Sequence, residues 1–386
     1  MTKDYKEFYS EFINAHGNKL HFAAHSHHFW PDSARIGHME SYDHSMKESD
    51  NKWDYIFTTL IPDVQDIISS IIGFDRPADI AFAPNTHDLL TRILSSIIKD
   101  KPLKLLTSNS EFHSFSRQLR RLQEDNLVEV TIIDPELLSF DVDLEKALNT
   151  NQFDLIFLSH VFFTSGLVLS EENIQKIIQF KGDAEFILDA YHGFCAVPTD
   201  ITKYSDHLFY MAGGYKYAQA GEGMCFMTIP KDCKLRPLYT GWFSSFKDLE
   251  SKQSGPVSYA SDGMRFWGST IDCTSFYRFR SVWSNFKRLG ISANDLIKHV
   301  KNLQLEFMQE NPLSEFIIEK DPSKIGHFIT VKLNSAELAA SVKNQLDRLD
   351  IMTDNRGTYL RFGHANYHNQ QDIKDLKTKL KLLKLQ

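Results

Sequence analysis

Apolar positions along this chain change period several times, and each change marks an element. From Trp53 the residues Ile56, Phe57, Leu60, Val64, Ile67, Ile68, Ile71 and Ile72 recur at helical spacing. Pro62 is expected to break or kink that helix and Gly73 to end it. Short apolar runs then alternate with amphipathic stretches. Strands are expected at 79–83, 103–107, 128–133, 153–161 and 185–188, the last ending in Asp189. Helices are expected at 87–99, 114–124 and about 170–180. Two more apolar runs, 207–211 and 224–229, bracket a glycine-rich turn. This order predicts an α/β fold, a mostly parallel sheet with helices on both faces. After about residue 230 the pattern changes, and 231–270 is rich in loops, aromatics and glycine. Helices near 275–288, 292–310 and 335–348, strands at 316–319, 328–332 and 359–362, and a terminal amphipathic helix over 374–384 follow. The expected organisation is a large domain over 50–270 and a smaller α+β domain. The smaller domain combines 1–49 with 271–386, because neither terminal piece has a large core alone.

Composition narrows the function. With 386 residues, 42% of them hydrophobic, the chain has room for two domains and a substantial core. A net charge of −7 and a pI of about 6.1 come without any basic stripe, so nucleic acid is not an expected partner. No run of about 18 apolar residues suggests a membrane span, and the first residues hold no apolar signal core. Cys195, Cys225, Cys233 and Cys273 form no CxxC pair, so reduced, buried thiols in a cytoplasmic protein are expected. Histidines crowd the first fifty residues. His25, His27 and His28 are close together, yet His27 and His28 point opposite ways on an extended chain. With no acid or cysteine at ligand spacing, no metal site is expected, and these histidines are read as exposed or lining a pocket mouth.

The candidate chemistry lies at the C-terminal ends of the expected strands, where open α/β sheets bind ligands. Lys216 stands in Met211-Ala-Gly-Gly-Tyr-Lys-Tyr-Ala-Gln-Ala-Gly-Glu-Gly223, where glycines permit close approach and positive φ. A lysine in a crowded, desolvated turn has the lowered pKa that Schiff-base chemistry needs. Asn85 or Thr86 would cap the helix after the first strand and leave N–H groups aimed at a phosphate. Phe112 or His113 would stack on a flat ring. Asp189 would pair with a buried cation such as a protonated pyridine nitrogen, and His192 would reach a neighbouring oxygen. Each motif alone is an ordinary cap, turn or surface lysine. The order of phosphate cap, ring stacker, ring-nitrogen acid and lysine makes them one reading.

In that order the chain resembles the fold-type I pyridoxal-phosphate enzymes of the class V aminotransferase group, and within it kynureninase. Asp189-Ala-Tyr-His192 matches Asp-x-x-His, Tyr215-Lys216-Tyr217 matches Tyr-Lys-Tyr, and Gly241-Trp242-Phe243 resembles Gly-Trp-Phe. Asp354-Asn-Arg356 followed by Arg361 and Tyr367 resembles the C-terminal pattern of the group. The resemblance implies pyridoxal 5'-phosphate bound by Asn85, Thr86, Phe112, Asp189, His192, Tyr215 and Lys216. It also implies Trp242 and the turn at Ser269 and Thr270 serving the site of a partner in a homodimer. Lys216 and Asp189 would be catalytic, and Arg361 would hold the α-carboxylate of an amino-acid substrate. The implied reaction is kynureninase-type C–C hydrolysis, with class V aminotransfer or a binding role on the same fold as alternatives. The sequence departs from the kynureninase pattern at Phe162, at Gly268-Ser-Thr270, at His25-Ser-His-His28 and at Phe115, mainly on the substrate side.

Overall fold

The computed structural model describes residues 4–98, 101–248 and 255–385. Helix α1 (Ser10–His16) and the short strand β1 (Leu20–His21) lead to α2 (Asp32–Glu48). The rod expected from Trp53 is one helical run of α3 (Lys52–Tyr55), a π-helical turn over Ile56–Leu60 and α4 (Ile61–Ile72). Pro62 falls in the first turn of α4, where its missing N–H is least costly, so it does not break the run. Gly73 ends it in the left-handed region at φ 67°.

The central sheet is built from β2 (Ile80–Ala83), β3 (Leu103–Ser108), β4 (Val128–Ile133), β5 (Leu155–Ser159), β6 (Glu185–Asp189), β7 (Phe209–Gly213) and β8 (Cys225–Thr228). Their spatial order is β2-β8-β7-β6-β5-β3-β4. Only β8 runs against its neighbours; the pairs β7–β6, β6–β5, β5–β3 and β3–β4 are parallel. The connecting helices α5 (Thr86–Ile97), α6 (His113–Glu124), α7 (Phe140–Thr150) and α8 (Glu171–Phe180) each follow a strand, as connections between parallel strands require. Helix α7 was not expected, although Phe140, Leu144, Ala147 and Leu148 are its buried stripe. Helix α2 was not expected either. Its buried residues are Ala34 and Gly37, while Ile36, Met39 and Met46 are exposed, so it lacks an apolar stripe.

The second part begins with α9 (Thr274–Arg288) and α10 (Ala293–Met308), the latter started by a Ser292–Asp295 capping box. A three-stranded antiparallel sheet follows, in the order β11-β12-β9. Its strands are β9 (Phe328–Lys332), β11 (Asp354–Arg356) and β12 (Tyr359–Gly363). Between β9 and β11 come α11 (Ala336–Arg348) and β10 (Ile351–Met352), and α12 (Gln370–Leu380) closes the chain. The strand expected at 316–319 is instead a 3-10 turn at Ser314–Phe316 with a single bridge from Ile317 to Val331. The larger apolar cluster takes in Tyr5, Tyr9 and Phe29 from the N-terminal segment, as well as most of α9. The smaller one gathers Phe22 with residues 303–380. The N-terminal segment thus contributes to both clusters.

One junction positions the site. Strand β1 pairs in parallel with β10, and Ala23 bridges Gly363 at the end of β12. Gly363 donates its N–H to Phe22 O at 2.7 Å. A methyl on Gly363 would strike the His25 ring and fall 2.7 Å from the His25 backbone nitrogen. Gly363→Ala is expected to destabilise the protein by about 1–3 kcal/mol, because backbone cannot yield to the added carbon. Urea unfolding of the purified variant checks this, and an unchanged midpoint would contradict the close packing of this junction.

Candidate active site at the strand ends

Asn85, Thr86, Phe112, Asp189, His192, Tyr215 and Lys216 all line one pocket of about 370 Å³. His87, His113, Ser114, Ser159, Val161, Phe163 and Tyr191 complete its wall. The seven residues come together because each directly follows or ends a strand of the central sheet. Asn85 caps α5, its side chain accepting from Asp88 N at 2.9 Å, so the first N–H groups of the helix stay available to an anion. Phe112 stands at the start of α6 and packs near Phe115 and Phe157.

Lys216 lies in the β7–β8 connection. Gly221 and Gly223 supply the positive φ there, at 69° and 103°, and Gly213 lets Tyr191 approach. The amine is buried and donates to the His25 carbonyl at 2.7 Å, with His192 Nε2 at 2.6 Å. Burial, helped by the Arg361 charge, lowers its pKa to about 7. His192 is therefore placed against the amine, and its own basicity is depressed by burial and by Lys216. Asp189 is buried and raised to about 6, chiefly by desolvation, while Tyr191 N donates to it at 3.0 Å.

Arg361 is buried beside this pocket without lining it. It lies directly across the β11–β12 ladder from Asp354, which pairs with its Nη2, and Nη1 donates to Phe163 O at 2.6 Å. Burial opposes ionisation of Asp354, but His25 and Arg361 outweigh it and hold the carboxyl well below its usual range. Trp242, Ser269 and Thr270 do not reach the pocket of their own chain. Trp242 is 47% exposed, and both turn residues are exposed. The two segments touch each other, with Phe243 N donating to Gly268 O at 3.1 Å.

Several residues here escaped the sequence reading. Glu111 is buried beneath the pocket, accepts from Ser108 Oγ at 2.6 Å and from Ser159 N at 3.2 Å, and is raised to about 8 by desolvation. An acid three residues beyond a buried strand was its available signal. His25 contributes a backbone carbonyl, which leaves no trace in sequence. His25 and His28 are buried, not exposed, because aromatic neighbours such as Phe328 and Tyr367 pack on them; His27 alone of the three is exposed. Among the described residues no group of three His, Cys, Asp or Glu is arranged to hold a metal ion, and no helix is long and apolar enough to cross a membrane. A second cavity of about 480 Å³, between the 6–29 and 367–379 segments, contains none of the expected site residues.

No protein-family profile and no curated sequence relative matches the chain. Solved structures do. A mutant of C-DES with glycine covalently linked to its PLP cofactor superposes with a TM-score of 0.83 at 14% identity, covering 98% of this chain and 99% of that one. The cystine C–S lyase C-DES with its product cysteine persulfide gives 0.80 at 15%, covering 95% and 98%. An apo cysteine desulfurase from Thermococcus onnurineus NA1 gives 0.78 at 16%, covering 99% and 100%. The chain has the fold of these enzymes. None of these three is a kynureninase, so the narrower likeness read from the motifs has no counterpart among them.

The amine supplies a test that needs no ligand. An unfolded lysine titrates near about 10.4, so between pH 7 and 10 the unfolded chain binds more protons than the folded one. Stability contributed by this group therefore rises with pH in that window. Measured against Lys216→Met by urea unfolding without added cofactor, the wild type is expected to gain about 2 kcal/mol from pH 7 to pH 9. A flat difference would show that the folded amine stays protonated.

Proposed function

We propose that this protein is a pyridoxal-phosphate-dependent enzyme acting on an amino acid. The carrying observation is that a buried, weakly basic Lys216 shares one pocket with Asp189, Phe112 and the capped start of α5. Those residues fit the cofactor. The N–H groups at Thr86 and His87, with Asn85 and Tyr215, would hold its phosphate, Phe112 its ring face, and Asp189 its ring nitrogen. Bound there, pyridoxal phosphate supplies an aldehyde that captures amines and a ring that takes up the electron pair left when a bond to the α-carbon breaks.

The residues around it have separable tasks. A pKa of about 7 leaves much of Lys216 as free amine at neutral pH, ready as nucleophile and then as the base for the α-proton. The His25 carbonyl and His192 fix where that nitrogen sits. Asp189, at about 6, is largely ionised at neutral pH and able to pair with a cationic ring. Arg361 would take the substrate α-carboxylate, matching its planar fork to two oxygens.

Three reaction branches follow from this start. Kynureninase-type C–C hydrolysis rests on the motifs around Phe112, Asp189, Lys216 and Trp242. A C–S cleavage rests on the likeness to C-DES, and the chain's four cysteines bear on which kind it would be. None of the four lines the pocket. Cys225, 3.3 Å from Tyr191 Oη, is raised to about 12 by burial. A reaction that needs an enzyme thiol is thus disfavoured, whereas elimination from a cystine-like substrate needs none. Aminotransfer on another amino acid is the third branch. A homodimer with Trp242, Ser269 and Thr270 completing the partner's site is part of this proposal.

Protein incubated with pyridoxal phosphate is expected to show a yellow absorption band that borohydride fixes on Lys216 and that Lys216→Ala lacks. No band, or one unchanged in the variant, would leave a binding protein on an enzyme fold. Product analysis with kynurenine, cystine and keto-acid acceptors then separates the branches, and Lys216→Ala is expected to lower turnover by about 10²–10⁴-fold or more. In an equal, fully exchanged mixture of Lys216→Ala and Trp242→Ala subunits, shared sites predict recovery of about a quarter of the wild-type activity, because half of the dimers are mixed and each of those has one intact site. No recovery after subunit exchange would place each site within one chain.

A further inference from the structure

The access route to Arg361 is closed in this structure. Arg361 is only 1% exposed, and it is absent from the wall of the Lys216 pocket. Phe163 belongs to both places. Its ring lines the pocket, and the Arg361 guanidinium carbon lies 4.9 Å from its centroid. Phe328 lies 5.7 Å from the same carbon. The Phe163 ring is parallel to His192 within 11° at 5.6 Å and meets His113 at 5.2 Å. The Phe163 backbone is pinned at both ends of its peptide units, N donating to Ser110 O at 2.9 Å and O accepting from Arg361 Nη1. Its side chain is half-buried and can turn without breaking either bond. Beneath it, Nη1 and Nη2 are engaged, and Nε–H is buried with no partner. A buried donor left unpaired is costly and is usually met by a ligand or an ordered water.

We propose that Phe163 controls the access of carboxylates to Arg361. This rests on the reading of Arg361 as the α-carboxylate site. In the resting protein the ring covers the guanidinium. An entering amino acid turns it aside, and its carboxylate takes up the free Nε–H edge. Displacing the ring is a fixed cost for every carboxylate. A ligand whose amine also engages the Lys216 end of the pocket recovers that cost, and a simple carboxylate does not. Phe163 thereby keeps weakly held simple acids off Arg361, while the amine contact sets the ratio between them and amino acids.

Arginine-selective labelling with phenylglyoxal, read peptide by peptide in cofactor-free protein, tests the cover directly. Exposed Arg117 serves as the internal standard. Arg361 is expected to react slowly in the wild type and at least about tenfold faster in Phe163→Ala, since a ring closed in nine molecules of ten lowers apparent reactivity by that fraction. Phe163→Leu, the milder change should the alanine variant fold poorly, is expected to fall between them. Equal Arg361 rates in the wild type and both variants, relative to Arg117, would overturn the proposal. A second arm uses cofactor-loaded Phe163→Leu with glycine or acetate as protectant. Protection of Arg361 by glycine and not by acetate is expected. If Phe163 substitutions unmask Arg361 but glycine fails to protect it, access control stands and the carboxylate role of Arg361 falls.

Discussion

The amine of Lys216 has left water, and most of the site can be understood as the response to that. A buried ammonium is costly, so the nitrogen holds its proton weakly and needs close partners. It finds the His25 carbonyl and His192. Both partners depend on packing far from the lysine. His25 is held by the Gly363 approach and by Phe328, and His192 by the turn that follows Asp189. Arg361 would push the lysine further towards neutrality, and Asp354 moderates it by standing directly across the ladder.

Two buried carboxyls, at the end of β6 and just beyond the end of β3 on either side of β5, divide the remaining charge. Asp189, at about 6, faces the pocket; Glu111, at about 8, sits beneath it with Ser108 and Ser159 as donors. Environments that push two like groups apart in pKa let one be ionised and the other neutral at the same pH. Near neutrality the floor of the site therefore carries about one negative charge, next to His25 and His192, which burial keeps uncharged.

Much of this was legible in the chain because it is local. Asn85, Phe112, Asp189 and Lys216 each stand within a few residues of a strand end, and a parallel sheet carries all such ends to one edge. What was not legible depends on partners remote in sequence. Helix α2 buries Ala34 and Gly37 against α9 and leaves larger side chains outside, the reverse of the pattern that announces a helix. Pro62 looked like a break because the π-helical turn that precedes it has no signature in composition. The covering of Arg361 by Phe163 joins residues 198 positions apart. The part played by His25 belongs to its backbone, which every residue shares.

The pairing of Leu20 with Ile351 and of Ala23 with Gly363 has a consequence in time. On the ribosome the segment bearing His25 emerges long before the strands that seat it. The sheet that presents Lys216 can be complete while the carbonyl that receives its amine is still untethered. Until those strands dock, Arg361 and the pairing that seats His25 are missing, so the setting that lowers the basicity of Lys216 is incomplete. Contacts of such long sequence separation form slowly, so the order of synthesis itself delays the appearance of a nucleophilic amine until the protein around it is built.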